Sequence, residues 1–288
     1  MSLIQLQDNM IKRDTSIGRL LLDMGKLTPE GAERVLRLQK DRGMRFGDAA
    51  LSLGLVTSED IRQAVSMQFD YPYLQAGQGG YSPELVAAYQ PFTPQVEALR
   101  ALRTQLVLRW FAEQSSTIAI TGVQSGDGSS YIAANLAVVF SQLGEQTLLI
   151  DANLRQPRQH KIFNLKAARG LSDMLVGRAD QDAIVRIESF MGLSVLGAGT
   201  VPPNPQELLS RQAFADLLAS VANTYDVIIV DTPSADASVD YQSIVARTGG
   251  ALLVARKNYT KLAKLDDLNK HIKDIGAQVV GAVLNEYE

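Results

Sequence analysis

The sequence predicts a doubly wound α/β domain with a mainly parallel sheet, preceded by a small all-α domain of repeated helical hairpins. Two observations carry this reading. From residue 117 onward, short continuous apolar runs alternate with helix-type segments, the pattern of strands buried on both faces of a parallel sheet. Before that, residues 14–70 repeat a helix, glycine, helix pattern at a constant offset of 29.

The composition is that of a folded protein with room for a sizeable core: 288 residues, 46% hydrophobic, 20% charged. With 28 Lys+Arg against 31 Asp+Glu and a net charge of −3, bulk nucleic-acid binding is disfavoured and no such partner is expected. The absence of Cys removes disulfides, thiolate catalysis and Cys-zinc sites. His160 and His271 are too few for a multi-His metal cage. No apolar run is long enough to span a bilayer, and MSLIQLQDN lacks the apolar stretch of a signal peptide, so a cytoplasmic location is expected.

The first expected domain is residues 1–72. Gly18 and Gly47 each sit seven residues before a second glycine, Gly25 or Gly54, and Gln39 and Gln68 follow these fourteen residues later. Leu36 matches Val65, and Ala32 matches Ile61. Thr28 and Thr57 are suited to cap the second helix of each copy, with acidic residues in the following turn. A plain helical bundle, with glycines that only end helices, explains the same spacing.

Residues 73–94, rich in Gly and Pro, read as a linker to a domain at 95–288. Val96–Phe111 then carries an apolar stripe at helical spacing (Val96, Leu99, Leu102, Leu106, Trp110), with Glu97, Arg100 and Arg103 beside it. Strands are expected at Thr117–Thr121, Thr147–Asp151, Leu193–Leu196, Val227–Asp231, Ala251–Ala255 and Val279–Leu284. Helices are expected at Ser130–Leu143, Pro205–Leu209, Gln212–Asn223, Asp240–Arg247 and Leu262–Ile275, and ligands at the carboxyl ends of the strands.

At that edge, residues 122–130 read GVQSGDGSS and lead into a helix, a turn that presents backbone N–H groups and a positive dipole end to a phosphate. The strict G-x-x-x-x-G-K-S/T pattern fails, because Val123 stands for its first Gly and Ser129 for its Lys. Two further strands end in Asp151 and Asp231. With the Ser130 hydroxyl they form the oxygen-rich set that Mg²⁺ takes alongside substrate phosphates.

On these residues Thr117–Asn285 resembles the cytoplasmic domain of bacterial tyrosine kinases (BY-kinases), P-loop NTPases related to MinD that govern capsule and exopolysaccharide chain length. SGDGSS is similar to their PGEGKS, DANLRQP to DADLRRP, and TVPPNPQELL at 200–209 to G-x-x-P-P-N-P-x-E-L-L. IVDTP at 229–233 is similar to their Walker B, and Glu97, Arg100 and Arg103 fit their E-x-x-R-x-x-R oligomerisation motif. The resemblance implies ATP or ADP with Mg²⁺ as cofactors. It implies that Gly126, Asp127, Gly128, Ser129, Ser130 and Tyr131 hold the nucleotide and that Asn285 contacts adenine. Ser130, Asp151 and Asp231 would serve the metal, Asp151 would be the base for a tyrosine hydroxyl, and Arg155 would lie near the γ-phosphate. The partners it implies are further copies of the chain and a membrane chain-length regulator, through which the protein would reach the inner membrane.

The departures bear on activity. Ser129 donates a hydrogen bond but supplies no fixed charge, and losing one preorganised stabiliser costs on the order of 10²–10³ in rate. Asn153 replaces the second acid of the DxD pattern, and of the family's C-terminal tyrosine cluster only Tyr287 is present. The expected function is therefore a nucleotide-binding protein of polysaccharide export with impaired tyrosine kinase activity. An active autokinase and a non-catalytic scaffold gated by nucleotide or cyclic di-GMP are the alternatives. A partitioning ATPase is disfavoured, because its signature lysine would fall at Gln124.

The N-terminal repeat in turn resembles the duplicated R-L-G-x₆-G module of type II secretion ATPases, some of which bind cyclic di-GMP. Gly18, Arg45, Gly47 and Gly54 are the residues implied. Ser16 stands where the first copy needs its Arg, so a structural or docking module is the competing reading.

Overall fold

This computed structural model describes residues 16–68, 74–75, 77–112, 115–166 and 168–286; the start of the repeat, Pro72 and Tyr287 lie outside them. The chain divides into two compact units, Met1–Tyr73 and Leu74–Glu288.

The smaller unit contains α1 (Ile17–Asp23), α2 (Pro29–Arg42), α3 (Phe46–Ser52) and α4 (Ser58–Gln68). Its core repeats the sequence offset: Leu21 with Ala50, Leu27 with Val56 and Val35 with Ala64 are all buried. Gly25 and Gly54 hold φ of +66° and +63°, the left-handed stop that only glycine adopts freely. Thr28 Oγ1 accepts the Gly31 N–H at 3.1 Å. Thr57 and Asp60 form a reciprocal capping box, each side chain accepting the other's backbone N–H.

The larger unit is built on β1 (Thr117–Gly122), β2 (Thr147–Asp151), β3 (Ile184–Arg186), β4 (Leu193–Leu196), β5 (Val227–Asp231), β6 (Gly250–Arg256) and β7 (Gln278–Asn285). Among the described residues these form one sheet in the order β3-β4-β2-β5-β1-β6-β7, parallel except for β3. Alternate residues feed two cores. Ile118, Ile120, Leu149, Ile229 and Leu252 face one, and Ala119, Leu148, Ile150, Val230 and Leu253 face the other. Covering the sheet so fully is why the strands read as unbroken apolar runs.

The remaining helices are α5 (Val86–Tyr89), α6 (Pro94–Leu106), α7 (Ser129–Ser141), α8 (Gln159–Ile162), α9 (Leu171–Leu175), α10 (Pro205–Ser210), α11 (Gln212–Val221), α12 (Asp240–Thr248) and α13 (Leu262–Asp274). α6 continues into a π-type turn, Val107–Phe111, that swings Trp110 inward so that its Nε1 donates to the Thr117 carbonyl at 2.8 Å.

The segment read as a linker is not one. Leu74, Leu85, Ala87 and Ala88 are buried in the first core. Asn135 of α7 accepts the Ala87 N–H and donates to the Glu84 carbonyl, both at 2.9 Å. Gly and Pro shape this stretch as a strap across the unit rather than loosening it.

Candidate nucleotide site

Register places the chemistry. Asp151 and Asp231 are paired neighbours at the ends of β2 and β5, and Ile120 of β1 lies beside Asp231. The glycine-rich loop leaves β1 at the centre of the sheet, where the strand order reverses and a crevice forms. There a cleft of about 590 Å³ is lined by Ser125, Gly126, Gly128, Ser129 and Ser130 on one side and by Asn153, Arg155, Arg158, His160 and Lys161 on the other.

The loop is held by its own side chains. Gly126 and Gly128 take φ of +88° and +95°, which lets the backbone double back before α7. Asp127 is buried and does not face the cleft. Its carboxylate accepts the Gln124 N–H at 2.7 Å and the Thr260 hydroxyl at 2.6 Å. Asn285 donates to the Asp127 carbonyl at 2.9 Å, so its amide braces the loop. Ser125 N–H bonds Asp236, which also accepts from Ser234. The first turn of α7 is left with backbone N–H groups free of helical partners, facing the cleft from Ser129 and Ser130.

Behind the loop lies a buried polar cluster. Asp151 Oδ2 accepts the backbone N–H groups of Arg158 and Gln159, both at 2.9 Å, and its Oδ1 accepts that of Asn153 at 3.2 Å. Gln159 Nε2 bridges Asp231 Oδ2 at 2.7 Å and the Ser130 carbonyl at 3.1 Å. Burial raises the affinity of both carboxyls for protons, and the charge of Asp231 raises Asp151 further. Asp231 Oδ1 and Gln159 Oε1 are buried with no partner among the described residues. A carboxylate oxygen and an amide oxygen left without partners beside the crowded Asp151 suit a divalent cation or its water shell. Among the described residues no cluster of three or more His, Cys, Asp or Glu is placed to hold a metal ion.

The other anticipated residues fall as follows. Arg155 is tied to buried Asp240 by two bonds, at 2.7 and 3.1 Å. Tyr131 lies outside this cleft, in an apolar groove beside α6 and β7 that Asn285 also lines. On α6, Glu97 pairs with Arg100, while Arg103 turns inward and donates to the Val139 carbonyl at 2.6 Å. In the smaller unit Gly18 makes room for the Phe46 ring and Gly47 for Ile61, Gly54 ends a helix, and Arg45 is exposed at the start of α3. Packing accounts for the glycines without a ligand. The sequence reading missed Gln159, Asp240 and Thr260. Each acts through a partner distant in the chain, and no local spacing marks them.

Comparison with known proteins adds family relations. Residues 115–272 match the family described as cellulose biosynthesis protein BcsQ. The tyrosine-protein kinase wzc of Salmonella typhi is 33% identical over 202 residues, 70% of this chain and 28% of that protein. The kinase domain of Escherichia coli tyrosine kinase ETK superposes with a TM-score of 0.68 at 33% identity, covering 70% of this chain and 79% of the domain. The chimerical protein CapA2B2 gives a TM-score of 0.66 at 34% identity, covering 80% of this chain and 98% of that one. The chain thus spans under a third of such a full-length kinase but most of the isolated kinase domains.

Proposed function

The chain belongs to the BY-kinase family of P-loop proteins, and from that premise we propose that its cleft binds ATP or ADP with Mg²⁺ and performs tyrosine phosphotransfer poorly. One observation carries the reading: the crowded carboxylates Asp151 and Asp231, with Asp231 Oδ1 and Gln159 Oε1 buried and unpartnered among the described residues, stand directly behind a helix N-terminus that offers free backbone N–H groups. The loop and the start of α7 receive the phosphates. Ser130, Asp231 and Asp151 are the residues that would hold the cation, which when bound would neutralise phosphate charge. Gln159 holds Asp231 and the loop in register.

Two features support weak transfer. Position 129 brings a hydroxyl where the family has an ammonium, so a preorganised positive charge is missing at the bridging oxygens. Asp151 is fully buried with three of its lone-pair sites accepting backbone N–H bonds, so an incoming hydroxyl would have to reach the one site left on Oδ1 inside the protein to pass it a proton. The cellular setting we propose is polysaccharide export, with a membrane chain-length regulator as partner. That rests on family membership and on the resemblance of residues 200–209. Self-assembly through α6 would engage Glu97 and Arg100, since Arg103 is committed to its own α7.

Incubation with ATP and Mg²⁺ followed by phosphotyrosine detection tests the reading. The expected result is a trace signal, raised about 10²-fold or more by Ser129→Lys. Strong labelling of the unsubstituted chain would refute the impairment.

A further inference from the structure

Besides His160, whose charged form is disfavoured by burial and by its neighbour Lys161, three basic side chains line the cleft across from the glycine-rich loop: Arg155, Arg158 and Lys161. Arg155 is bound through two hydrogen bonds to Asp240, a carboxylate almost wholly buried, and releasing it would strand a buried charge. Arg158 reaches both oxygens of Glu84 at 2.8 and 2.9 Å. Lys161 is exposed, and its ammonium has no acceptor among the described residues. It is nevertheless carried on a fixed support. The start of α8 is fastened to Asp151 by two backbone N–H bonds, and Gln159 ties it to Asp231 and Ser130. Lys161 is therefore anchored to the same carboxylates and the same loop that define the phosphate end of the cleft.

From this arrangement we infer that Lys161 supplies the bound phosphates with the positive charge that position 129 lacks. The inference rests on the nucleotide reading above and adds the residue that makes it electrostatically workable. A triphosphate needs cationic partners beyond Mg²⁺, and the loop itself has no lysine or arginine; Arg155 is held by buried Asp240, and Arg158 divides its charge between half-exposed Glu84 and buried Asp231, which leaves the Lys161 charge to the phosphates. A lysine delivers a point charge on a long flexible stem, so it can reach a phosphate from outside the loop. Such a charge is not held on the bridging oxygen, which agrees with binding being retained while transfer is weak.

Calorimetric titration of the full chain with ATP and Mg²⁺ tests this. Lys161→Ala should weaken binding by about tenfold or more, as loss of a charged contact to phosphate implies. Lys161→Arg should retain most of the affinity. Ser129→Lys, introduced into Lys161→Ala, should recover it, because the charge returns from the other side of the site. Melting of the unliganded protein should be unchanged by Lys161→Ala, since the side chain is exposed. Binding by Lys161→Ala within about twofold of the unsubstituted chain would overturn the inference. So would a tenfold loss on Arg158→Ala alone, which would assign the charge to Arg158. If the unsubstituted chain itself takes up no nucleotide at millimolar concentration, the nucleotide reading fails first and Lys161 with it.

Discussion

Asp231 and Asp151 are fully buried carboxyls held side by side, each raised in proton affinity above a free carboxyl by its surroundings. Below about pH 4 the folded and unfolded chains are both protonated here, so the contribution to stability is whole. As pH rises the unfolded chain ionises first, and stability is lost as the folded pair is forced to follow. Asp231→Asn removes one of the two charges. The unliganded variant should melt higher than the parent at pH 8, by about 2–4 °C for each kcal/mol of repulsion removed, with a flatter dependence on pH. Thermal melts from pH 5 to 8 read this directly, and parallel curves would show that the pair is not under strain. In the parent chain Mg²⁺ should reverse the trend by replacing protons. At this scale the sequence showed Asp151, Asp231 and Ser130, because each ends a strand or starts a helix. It hid Gln159, whose side chain joins Asp231 to the Ser130 carbonyl while its backbone N–H bonds Asp151, and Asp240, which holds Arg155 from 85 residues away.

Among the elements, the strands buried on both faces were legible because such burial forces continuous apolar runs. β3 was not: it has three residues, is only partly buried, and pairs antiparallel at the sheet edge. The short helices α8 and α9 also escaped notice. α8 is fixed by Asp151 through hydrogen bonds, which leave no periodic pattern. The repeat in the smaller unit was visible as spacing, and the structure supplies its asymmetry. A Cβ at Gly18 would lie 3.0 Å from the Phe46 ring, whereas one at Gly47 would lie 3.5 Å from Ile61. Gly47→Ala should therefore be neutral, or stabilising by up to about 1 kcal/mol through helix propensity. Gly18→Ala should be the less stable of the two variants, because Phe46 must yield. Chemical denaturation of both compares them, and equal effects would contradict the packing described.

For the molecule as a whole, the boundary between units falls near residue 73, and the strap from Leu74 to Thr93 belongs to the nucleotide-site unit. The sequence misplaced this strap because Gly and Pro suggest a linker, whereas its anchors are buried leucines and the distant Asn135. Residues 74–288 should fold without the preceding unit. Removing the strap as well, to leave 95–288, should cost about 1.5–3 kcal/mol for each buried leucine lost. Denaturation midpoints of the two fragments measure this, and equal stability would return the strap to linker status. The central claim, that the loop 122–130 with Asp151 and Asp231 buried behind it holds a nucleotide, is tested most directly by titrating the full chain with ADP in Mg²⁺. The account predicts saturable binding at one site per chain that weakens when Mg²⁺ is withdrawn. A flat titration at millimolar ADP with Mg²⁺ present would contradict it.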